Sequence, residues 1–575
     1  MKKPNLSSSK PLVIVLFAIG CTFYFPTYAA AIEIDTLKKV IPNEPHEVFE
    51  GEYIPVSRDD MKKSPSYHAS GSGFYTTQVN ISETGDNIIN DAANEPSIAI
   101  DPTNPDKMVI GWRQFNTVNN SFRQAGYAYT LDGGETWTFP GVIDEGVFRS
   151  DPVLDADADG NIFYNSLTVE GNNYFCDVYK MEPGETEWDE GVYAKGGDKQ
   201  WMVIDKTGGE GDGNIYAQWN ASFSICFPND FTRSTDMGDS YEDCVKVTGS
   251  PRWGTLATGP DGTLYVAGYS DFGFIVAKST TAQDDGEPVE WDGFTEVYLD
   301  GYASIGTGPN PVGLLGQTWV AVDNSDGLNS GNVYVLCSVE RFNNDDPCDV
   351  MFSRSTDGGF SWSEAKRVNQ DIGFFNWQWF GTMSVAPTGR IDVVWLDTRG
   401  GTPGTYESAL FYSYSIDGGL SFSANEQVSD YFDPHLGWPQ QEKMGDYFHM
   451  VSDVDYAHLA WANTLNGEQD VYYTRINPWF VGLDENKLED QLIINLFPNP
   501  AKDNLTVRFK TEDNGEVEIA LLDMLGKEVL HQKVSGDQVF NQAIQFDVSA
   551  LNNGIYFVQV SSGNQNVTEK IIVAN

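Results

Sequence analysis

Short apolar segments alternate with clusters of Asp, Asn and Gly along most of the chain. Each unit starts with an apolar segment, turns through Asp, Asn or Gly, and continues into a second apolar segment. The seven pairs are 97–100 with 108–112, 152–154 with 161–167, 201–204 with 214–219, 253–257 with 263–269, 319–322 with 332–338, 379–385 with 391–396, and 447–451 with 457–461. Short strands at regular spacing predict an all-β propeller with seven blades of four strands.

The seventh unit ends after residues 470–476 and lacks a fourth strand. Residues 75–80 precede the first unit and resemble the fourth strands of later units, such as 362–369. We therefore predict that they pair with the seventh blade and remove its exposed edge. The propeller then spans residues 72–480.

One eight-residue pattern occurs four times: a hydroxyl residue, Asp two positions later, Gly two after that, and an aromatic three further on. The four Asp residues are Asp132, Asp236, Asp357 and Asp417. Asp accepts hydrogen bonds within its own turn, Gly permits a positive φ, and the aromatic fills the gap between sheets. The pattern resembles the Asp-box, or BNR repeat, of sialidase-like propellers. That resemblance implies a structural role on the face opposite the ligand funnel.

The C-terminal part differs in kind. The motifs Phe-Pro-Asn-Pro from Phe497, Leu-Gly-Lys-Glu-Val from Leu525, Asn-Gly-Ile-Tyr from Asn553 and Lys-Ile-Ile-Val from Lys570 follow one another. They resemble type IX secretion sorting domains, which implies export across the outer membrane through that machinery to a secreted or cell-surface location. The alternating strands and turns themselves predict a small β-sandwich.

The N-terminus reads as a secretory signal, with Lys2 and Lys3, an apolar stretch over 12–25 and small residues up to Ala31. A lipid anchor on Cys21 is the alternative. The predicted organisation is signal peptide 1–31, N-terminal extension 32–71, propeller 72–480, linker 481–493 and sorting domain 494–575. No later stretch is apolar enough for membrane insertion of the mature chain.

The formal net charge of −48 argues against nucleic acid and anionic membranes as partners. Cys226 with Cys244 and Cys337 with Cys348 are plausible disulfides in an exported protein. The alternating acids Asp155, Asp157 and Asp159 resemble a calcium loop, so calcium is the one candidate cofactor; an ordinary hairpin turn is the alternative.

Residues at the starts of first strands and the ends of second strands should line the propeller funnel. Arginine binds carboxylates and sulfates, and tryptophan faces stack on sugars, so the set suits an extracellular anionic glycan. The candidate substrate-binding residues are Arg113, Arg149, Arg252, Arg341, Arg399, Trp253 and Trp379. A sialidase-like glycosidase would need three converging arginines, an acid such as Asp397 or Asp151, and a tyrosine such as Tyr447.

Three functions stay open at this point. The Arg-Ile-Pro segment that precedes the first Asp-box of sialidases is absent, and sialidases have six blades. A polysaccharide lyase would use a histidine or tyrosine base, with His435, His449 and His458 near the seventh unit. The third possibility is a non-catalytic propeller that binds a protein ligand or serves as an adhesion scaffold.

Overall fold

The computed structural model describes residues 51–342, 346–373, 375–482, 493–510, 517–534, 542–563 and 565–574. Apart from two short 3₁₀ helices, Arg58–Asp60 and Ala221–Phe223, its regular elements are β-strands. The all-β prediction is confirmed. Within these residues no helix has the length and hydrophobicity to cross a membrane. The signal peptide 1–31 and most of the linker 481–493 lie outside the described residues.

Seven successive sheets run from residue 92 to 476. Sheet 1 contains Ala92–Ile100, Met108–Phe115, Arg123–Thr130 and Thr138–Ile143, and sheet 2 contains Ser150–Ala156, Ile162–Glu170, Asn173–Met181 and Val192–Tyr193. Sheet 3 contains Trp201–Ile204, Ile215–Gln218 and Phe231–Ser234. Sheet 4 contains Leu256–Thr258, Leu264–Ser270, Gly273–Ser279 and Gly293–Glu296. Sheet 5 contains Trp319–Val322, Val333–Arg341, Asp349–Ser355 and Lys366–Arg367, with Gly301–Ala303 beside the second strand. Sheet 6 contains Gln378–Val385, Ile391–Asp397, Ala409–Ser415 and Glu426–Gln427. Sheet 7 contains His449–Ser452, Ala457–Asn463 and Asp470–Ile476. Every pairing within them is antiparallel.

The first strands of the seven sheets contact one another in chain order, and the first strand of sheet 7 contacts that of sheet 1. Phe74–Gln78 pairs with Asp470–Ile476 and supplies the outer strand that sheet 7 lacks. The predicted pairing is confirmed. His68–Gly71 adds a fifth strand to this sheet.

Residues 51–71 of the predicted N-terminal extension contact the sheets that follow them. Lys63–Pro65 pairs with Asp86–Ile88, and the guanidinium of Arg58 lies 3.4 Å from the ring centre of Phe139 in sheet 1. Tyr53 packs against Phe122, with ring centres 5.6 Å apart. Residues 51–71 thus gain their order from contacts with distant strands, which no local pattern reveals.

The apolar core lies mainly between neighbouring sheets. Ala460, Val471 and Tyr473 of sheet 7 pack in one cluster with Ile98 and Ile110 of sheet 1. The aromatic residue of each repeated turn extends this packing: Trp137 contacts Tyr473, with ring centres 5.3 Å apart, and Phe422 contacts Phe352, with centres 5.2 Å apart. Each ring therefore reaches back to the preceding sheet, as the repeat predicted.

The four repeated turns share one hydrogen-bond pattern. In the first, Thr130 Oγ1 donates to Asp132 Oδ1 over 2.7 Å, and Asp132 accepts the Thr136 backbone N–H over 2.9 Å. Asp236, Asp357 and Asp417 accept the matching backbone N–H over 2.9 Å in their turns. Hydrogen bonds from Ser361 and Ser355 lower the pKa of Asp357 to about 2. The four aspartates thus serve their own turns.

The C-terminal part forms two further sheets with one shared apolar cluster. The first contains Ile493–Phe497, Asn504–Lys510 and Gln542–Asp547, and the second contains Glu528–Val534, Val517–Leu522, Gly554–Ser562 and Gln565–Val573. One more hairpin, Ile305–Thr307 with Asn310–Leu314, stands outside all these sheets. We call it the central hairpin.

The structure contains one of the two predicted disulfides. Cys226 and Cys244 are bonded, whereas Cys337 and Cys348 are both buried free thiols, so the second pairing is wrong. Cys337 lies opposite Met351 in sheet 5. The Cys348 thiol instead donates to the Gln378 carbonyl of sheet 6 over 3.2 Å. Closeness in sequence here does not place the two sulfurs together.

Candidate functional site

Residues with a left-handed backbone conformation recur near the starts of the first strands of the sheets, which we call the innermost strands. Glu95, Asp151, Lys199, Trp253 and Phe380 have φ values of 50°, 47°, 56°, 56° and 54°, in sheets 1, 2, 3, 4 and 6. Sheet 7 has Gly445 there, at 97°. Side chains of this size rarely adopt such φ values, and bulges re-aim side chains near functional sites. The repeated conformation directs charged and aromatic groups inward.

Four of these sheets contribute to a buried charge cluster. Its members are Glu95, Arg113, Asp151, Asp198, Lys199, Lys443 and Asp446. Lys199 Nζ and Lys443 Nζ lie 2.5 and 2.7 Å from Asp446 Oδ2. Arg113 Nε lies 3.2 Å from Glu95 Oε2, and Lys443 Nζ lies 3.4 Å from Glu95 Oε1. Opposite charges therefore compensate one another where water is excluded.

The cluster shifts its members' pKa values in opposite directions. Burial, partly offset by Arg113 and Lys443, raises the pKa of Glu95 to about 7. Burial also raises the pKa of Asp198 to about 7, with Asp151 and Asp446 adding to the effect. Burial opposes ionisation of Asp446 as well, but Lys199 and Lys443 outweigh it and hold that pKa well below its usual range. The cluster thus contains one carboxylate that stays ionised, Asp446, and two acids, Glu95 and Asp198, whose pKa values lie near neutrality.

The central hairpin closes this cluster from solvent. The Leu314 backbone N–H donates to Asp446 Oδ1 over 2.8 Å. The Asn310 side chain accepts the Met444 N–H over 2.9 Å and donates to the Gly445 carbonyl over 2.8 Å. A very small cavity remains, lined by Asp151, Lys199, Gln200, Trp253, Leu314, Gln317, Asp446 and Tyr447. The central hairpin thus occupies the place where the sequence predicted an open funnel.

An open cleft lies between sheets 3 and 4, at the same end of the innermost strands. We call it the Arg252 cleft; it encloses about 1040 Å³ including its mouth and is lined by Ala221, Ser222, Phe227, Pro228, Asp230, Lys246, Gly249, Ser250, Arg252, Asp271, Phe272 and Phe294. Arg252 Nη2 stands 3.5 Å from Asp271 Oδ1, whose side chain is 83% exposed. The Arg252 side chain is 24% exposed, and a guanidinium in such a position can bind a carboxylate or sulfate from solution.

One wall of the cleft is fixed by covalent and polar links. The Cys226–Cys244 disulfide ties down the loop that carries Phe227. Asn229 Nδ2 donates to the Cys244 carbonyl over 2.6 Å, and Asp230 Oδ1 accepts the Val247 N–H over 2.7 Å. Burial raises the pKa of Asp230 to about 7. The loop is therefore held in place by contacts within the chain.

The other predicted arginines have separate acidic partners. Arg149 contacts Asp177 over 2.7 Å and Asp144 over 3.1 Å. Arg341 contacts Asp300 over 2.5 Å and Asp349 over 2.8 Å, and Arg399 contacts Asp397 over 2.6 Å. Arg113 belongs to the buried charge cluster and Arg252 to the cleft. These five arginines therefore do not share one anion site.

The remaining predicted site residues are also distributed. Asp397 is fully buried and accepts hydrogen bonds from Trp395, Arg399 and Gln378. Trp379 is buried, and its indole N–H donates to Ser408 over 3.1 Å. Tyr447 and Trp253 do meet Asp151 at the small cavity, where the Tyr447 hydroxyl donates to the Pro152 carbonyl over 2.6 Å. Asp151, Tyr447, Arg113 and Trp253 are thus the residues that the structure brings together.

The acidic turn after sheet 2's first strand is held by its own contacts. Asp155 forms an ion pair with Lys206 and accepts the Ile204 N–H over 2.8 Å. Asp157 accepts the Asn161 N–H over 2.8 Å, while Asp159 is exposed. Across the described ranges no group of three or more His, Cys, Asp or Glu side chains is arranged to hold a metal ion. Calcium binding by this turn stays a prediction.

Sequence reasoning missed several residues of both sites. Lys443 precedes Asp446 by three positions and pairs with it. A lysine also stands next to an acid at Asp198 and Lys199, and this shared combination was the signal that could have pointed to Lys443. Asn310 lies in a Gly- and Pro-rich segment without periodicity. Phe227 and Phe272 lie in loops, where a phenylalanine carries no distinguishing signal in sequence.

Comparison with known families identifies the C-terminal part. Residues 495–574 match the family described as the secretion system C-terminal sorting domain. The protein is therefore exported through type IX secretion, to the cell surface or the medium. No curated protein matches the chain.

Similar solved structures cover most of the chain at low identity. A protein of unknown function from Dyadobacter fermentans is 12% identical, with 70% of this chain and 97% of that chain covered and a TM-score of 0.39. A polysaccharide lyase of family PL25, an ulvan lyase, is 11% identical over 68% and 94%, with a TM-score of 0.41. The sialidase of Trypanosoma rangeli is 11% identical over 87% and 89%, with a TM-score of 0.35.

Proposed function

We propose that the seven sheets are the blades of one closed Asp-box propeller, that the C-terminal sheets form a β-sandwich, and that the exported propeller binds extracellular glycan in the Arg252 cleft. The cyclic contacts of the first strands and the outer strand Phe74–Gln78 support the closed ring. The shared cluster of the C-terminal sheets supports the sandwich. Blade closure removes the exposed edge of sheet 7.

The open cleft itself carries the glycan proposal. It combines exposed Phe227 and Phe272 with the cationic side chains of Arg252 and Lys246 around one concave space. Aromatic faces pack on the C–H faces of sugars, and a guanidinium binds carboxylate or sulfate through two parallel hydrogen bonds. We therefore expect an anionic glycan, bound without bond cleavage.

Binding is favoured over hydrolysis because of where the acids lie. Glu95, Asp198 and Asp446 carry the perturbed pKa values that acid–base chemistry requires, but they are buried beneath the central hairpin. At the cleft, burial also raises the pKa of Asp230 to about 7, but this residue is buried and its carboxylate accepts a backbone N–H, whereas Asp271 faces solvent. Cleavage of a glycan by the buried charge cluster would require the central hairpin to move away and expose these acids.

Affinity electrophoresis tests the proposal. The full propeller is run through gels that contain alginate, carrageenan or xylan, which supply carboxylates, sulfates or neither. We expect retardation by at least one anionic polymer, and about tenfold weaker binding for Arg252→Ala because a charge-assisted hydrogen-bond pair is lost. Lys206→Ala removes another partly exposed, ion-paired cation near the far end of sheet 3's first strand and should bind like the wild type.

Two results would contradict the proposal. The first is the absence of retardation by all three polymers, which would favour the alternative of a propeller that binds a protein ligand or serves as a scaffold. The second is an Arg252→Ala variant that binds as tightly as the wild type. Release of new reducing ends from any of the polymers would show that the acids act catalytically.

A further inference from the structure

Two open cavities meet at one side chain on the outer edge of sheet 4. The first is the Arg252 cleft. The second, which we call the aromatic groove, is shallow and is lined by Phe294, Thr295, Glu296, Tyr298, Phe360, Ser361, Trp362 and Ser363. Phe294 lines both. The two cavities therefore adjoin at Phe294, on the strand Gly293–Glu296.

Exposed rings occur at both cavities. Phe227 is 69% exposed, Phe272 56%, Tyr298 56% and Phe360 70%. The rings of Phe272 and Phe294 pack against each other, with centres 5.2 Å apart. The exposed rings at both cavities are available to pack on a ligand.

The residues beside the rings indicate which partner fits. The lining of the groove includes hydroxyl and charged residues, among them Ser361, Ser363 and Glu296, beside the aromatic ones. The centre of a protein–protein interface is instead depleted in charge. A lining that mixes ring faces with polar groups matches a sugar chain, which presents both C–H faces and hydroxyl edges.

The backbone at Phe294 adds hydrogen-bonding capacity. Gly293–Glu296 is the last strand of sheet 4 and pairs with Gly273–Ser279 on one side. In the part of the chain that the structure describes, no strand pairs with its other side. An edge strand presents N–H and C=O groups outward, and these suit sugar hydroxyls.

Phe360 is not required by the turn that carries it. The turn is held by Asp357, whose bonds to Ser361 match those of the other three repeated turns. The position of Phe360 is occupied there by Glu135, Asp239 and Leu420. Lys278 Nζ lies 3.5 Å from the centre of the Phe360 ring. The Trp362 indole N–H donates to Thr295 Oγ1 over 2.9 Å, which fixes the neighbouring ring.

We infer that the Arg252 cleft is one end of a polysaccharide-binding track that crosses the edge of sheet 4 and ends at Phe360. The inference rests on the proposed glycan binding and adds that the partner is an extended chain of several sugar units. The cleft holds an anionic group, and the aromatic groove stacks on sugars further along the same chain.

Oligosaccharides of defined length test the track. Binding of disaccharides and octasaccharides prepared from alginate and from carrageenan is measured by calorimetry. We expect the octasaccharide to bind more tightly than the disaccharide, and Phe360→Ala to weaken octasaccharide binding about fivefold through loss of one stacked ring. Disaccharide binding should not change in Phe360→Ala. Leu420→Ala, at the same position of another repeated turn, is the matched control and should change neither.

The results separate the track from the proposed function. Equal affinities for disaccharide and octasaccharide, or a Phe360→Ala variant that binds the octasaccharide like the wild type, would overturn the track while Arg252-dependent binding still stands. Arg252→Ala should weaken both lengths. Failure of every oligosaccharide to bind would overturn the track and the proposed function together.

Discussion

The buried charge cluster and the Arg252 cleft share a left-handed backbone conformation near the starts of their innermost strands, but they differ in burial. Glu95, Asp151 and Lys199 in sheets 1 to 3 and Trp253 in sheet 4 have φ values between 47° and 56° near the starts of their innermost strands. In the first three sheets the side chains join the buried charge cluster beneath the central hairpin. In sheet 4, Trp253 is buried and its neighbour Arg252 reaches the open cleft.

The two regions differ in how their charges are compensated. Charges buried without water are retained because each has an opposite partner, and removal of one partner is severe. Asp271, whose side chain is 83% exposed, lies where water screens its charge, so its pairing with Arg252 contributes little to stability. Exposure of the charges, rather than their density, separates the cleft from the cluster.

Removal of Asp446 should have the largest effect. Asp446→Ala leaves Lys199 and Lys443 without the carboxylate that both contact, and we expect a loss of about 3–5 kcal/mol in the free energy of unfolding. Urea denaturation at neutral pH measures it. Asp271→Ala, which removes an exposed acid from the cleft, should stay within about 0.5 kcal/mol of the wild type. Similar losses in both variants would erase the distinction between the two regions.

Removal of the cleft's disulfide should rank second. The double variant Cys226→Ser, Cys244→Ser opens a loop with a sequence separation of 18 residues, and we expect a loss of about 3 kcal/mol. Hydrogen exchange should quicken around Phe227 and stay slow at Asp446. Faster exchange at both places would mean that the cleft wall and the cluster open as one unit.

Loosening of the central hairpin should have a smaller effect. Asn310→Ala removes two donated hydrogen bonds and one accepted bond at a fully buried position, and we expect a loss of about 2 kcal/mol. Exchange of the Leu314 amide, which donates to Asp446, should quicken in the same variant. A Leu314 amide as slow as in the wild type would show that other contacts hold the hairpin closed.

The sequence predicted those features that depend on local pattern. Turn chemistry at Asp132 and its three counterparts, the apolar strand pairs and the outer strand Phe74–Gln78 all follow from spacing and residue type. The meeting of Asp151 with Tyr447 also follows, because both residues lie near the starts of innermost strands. Positions of that kind converge in any ring of sheets.

The rest depends on long-range contacts that spacing cannot show. Asp144 and Asp300, which pair with Arg149 and Arg341, lie in loops with no motif. The central hairpin covers Asp446 although it lies over 130 residues earlier in the chain. The sequence therefore indicated the positions of Asp151 and Tyr447, while the burial and the partners of the other candidate residues depend on contacts that it does not show.

The pH dependence of stability offers the finest comparison. In the folded protein the pKa of Glu95 is raised from 4.5 to about 7, so the folded state binds a proton more tightly than the unfolded chain does. Stability from this group is present below the unfolded pKa and is lost as pH rises through about 7. Glu95→Gln removes the titrating group, so its loss of stability between pH 5 and 7, followed by urea denaturation, should be smaller than that of the wild type.

The direction of this effect distinguishes Glu95 from its neighbours. His449, whose pKa burial lowers to about 4, favours the opposite trend, since a neutral imidazole stabilises the fold as pH rises. The comparison of Glu95→Gln with the wild type cancels that contribution because His449 is present in both. Glu296→Gln, at an exposed position in the aromatic groove, is the matched control and should keep the wild-type profile. An unchanged profile in Glu95→Gln would mean that Arg113 and Lys443 keep Glu95 ionised, and that the buried charge cluster holds its charges as firmly at Glu95 as at Asp446.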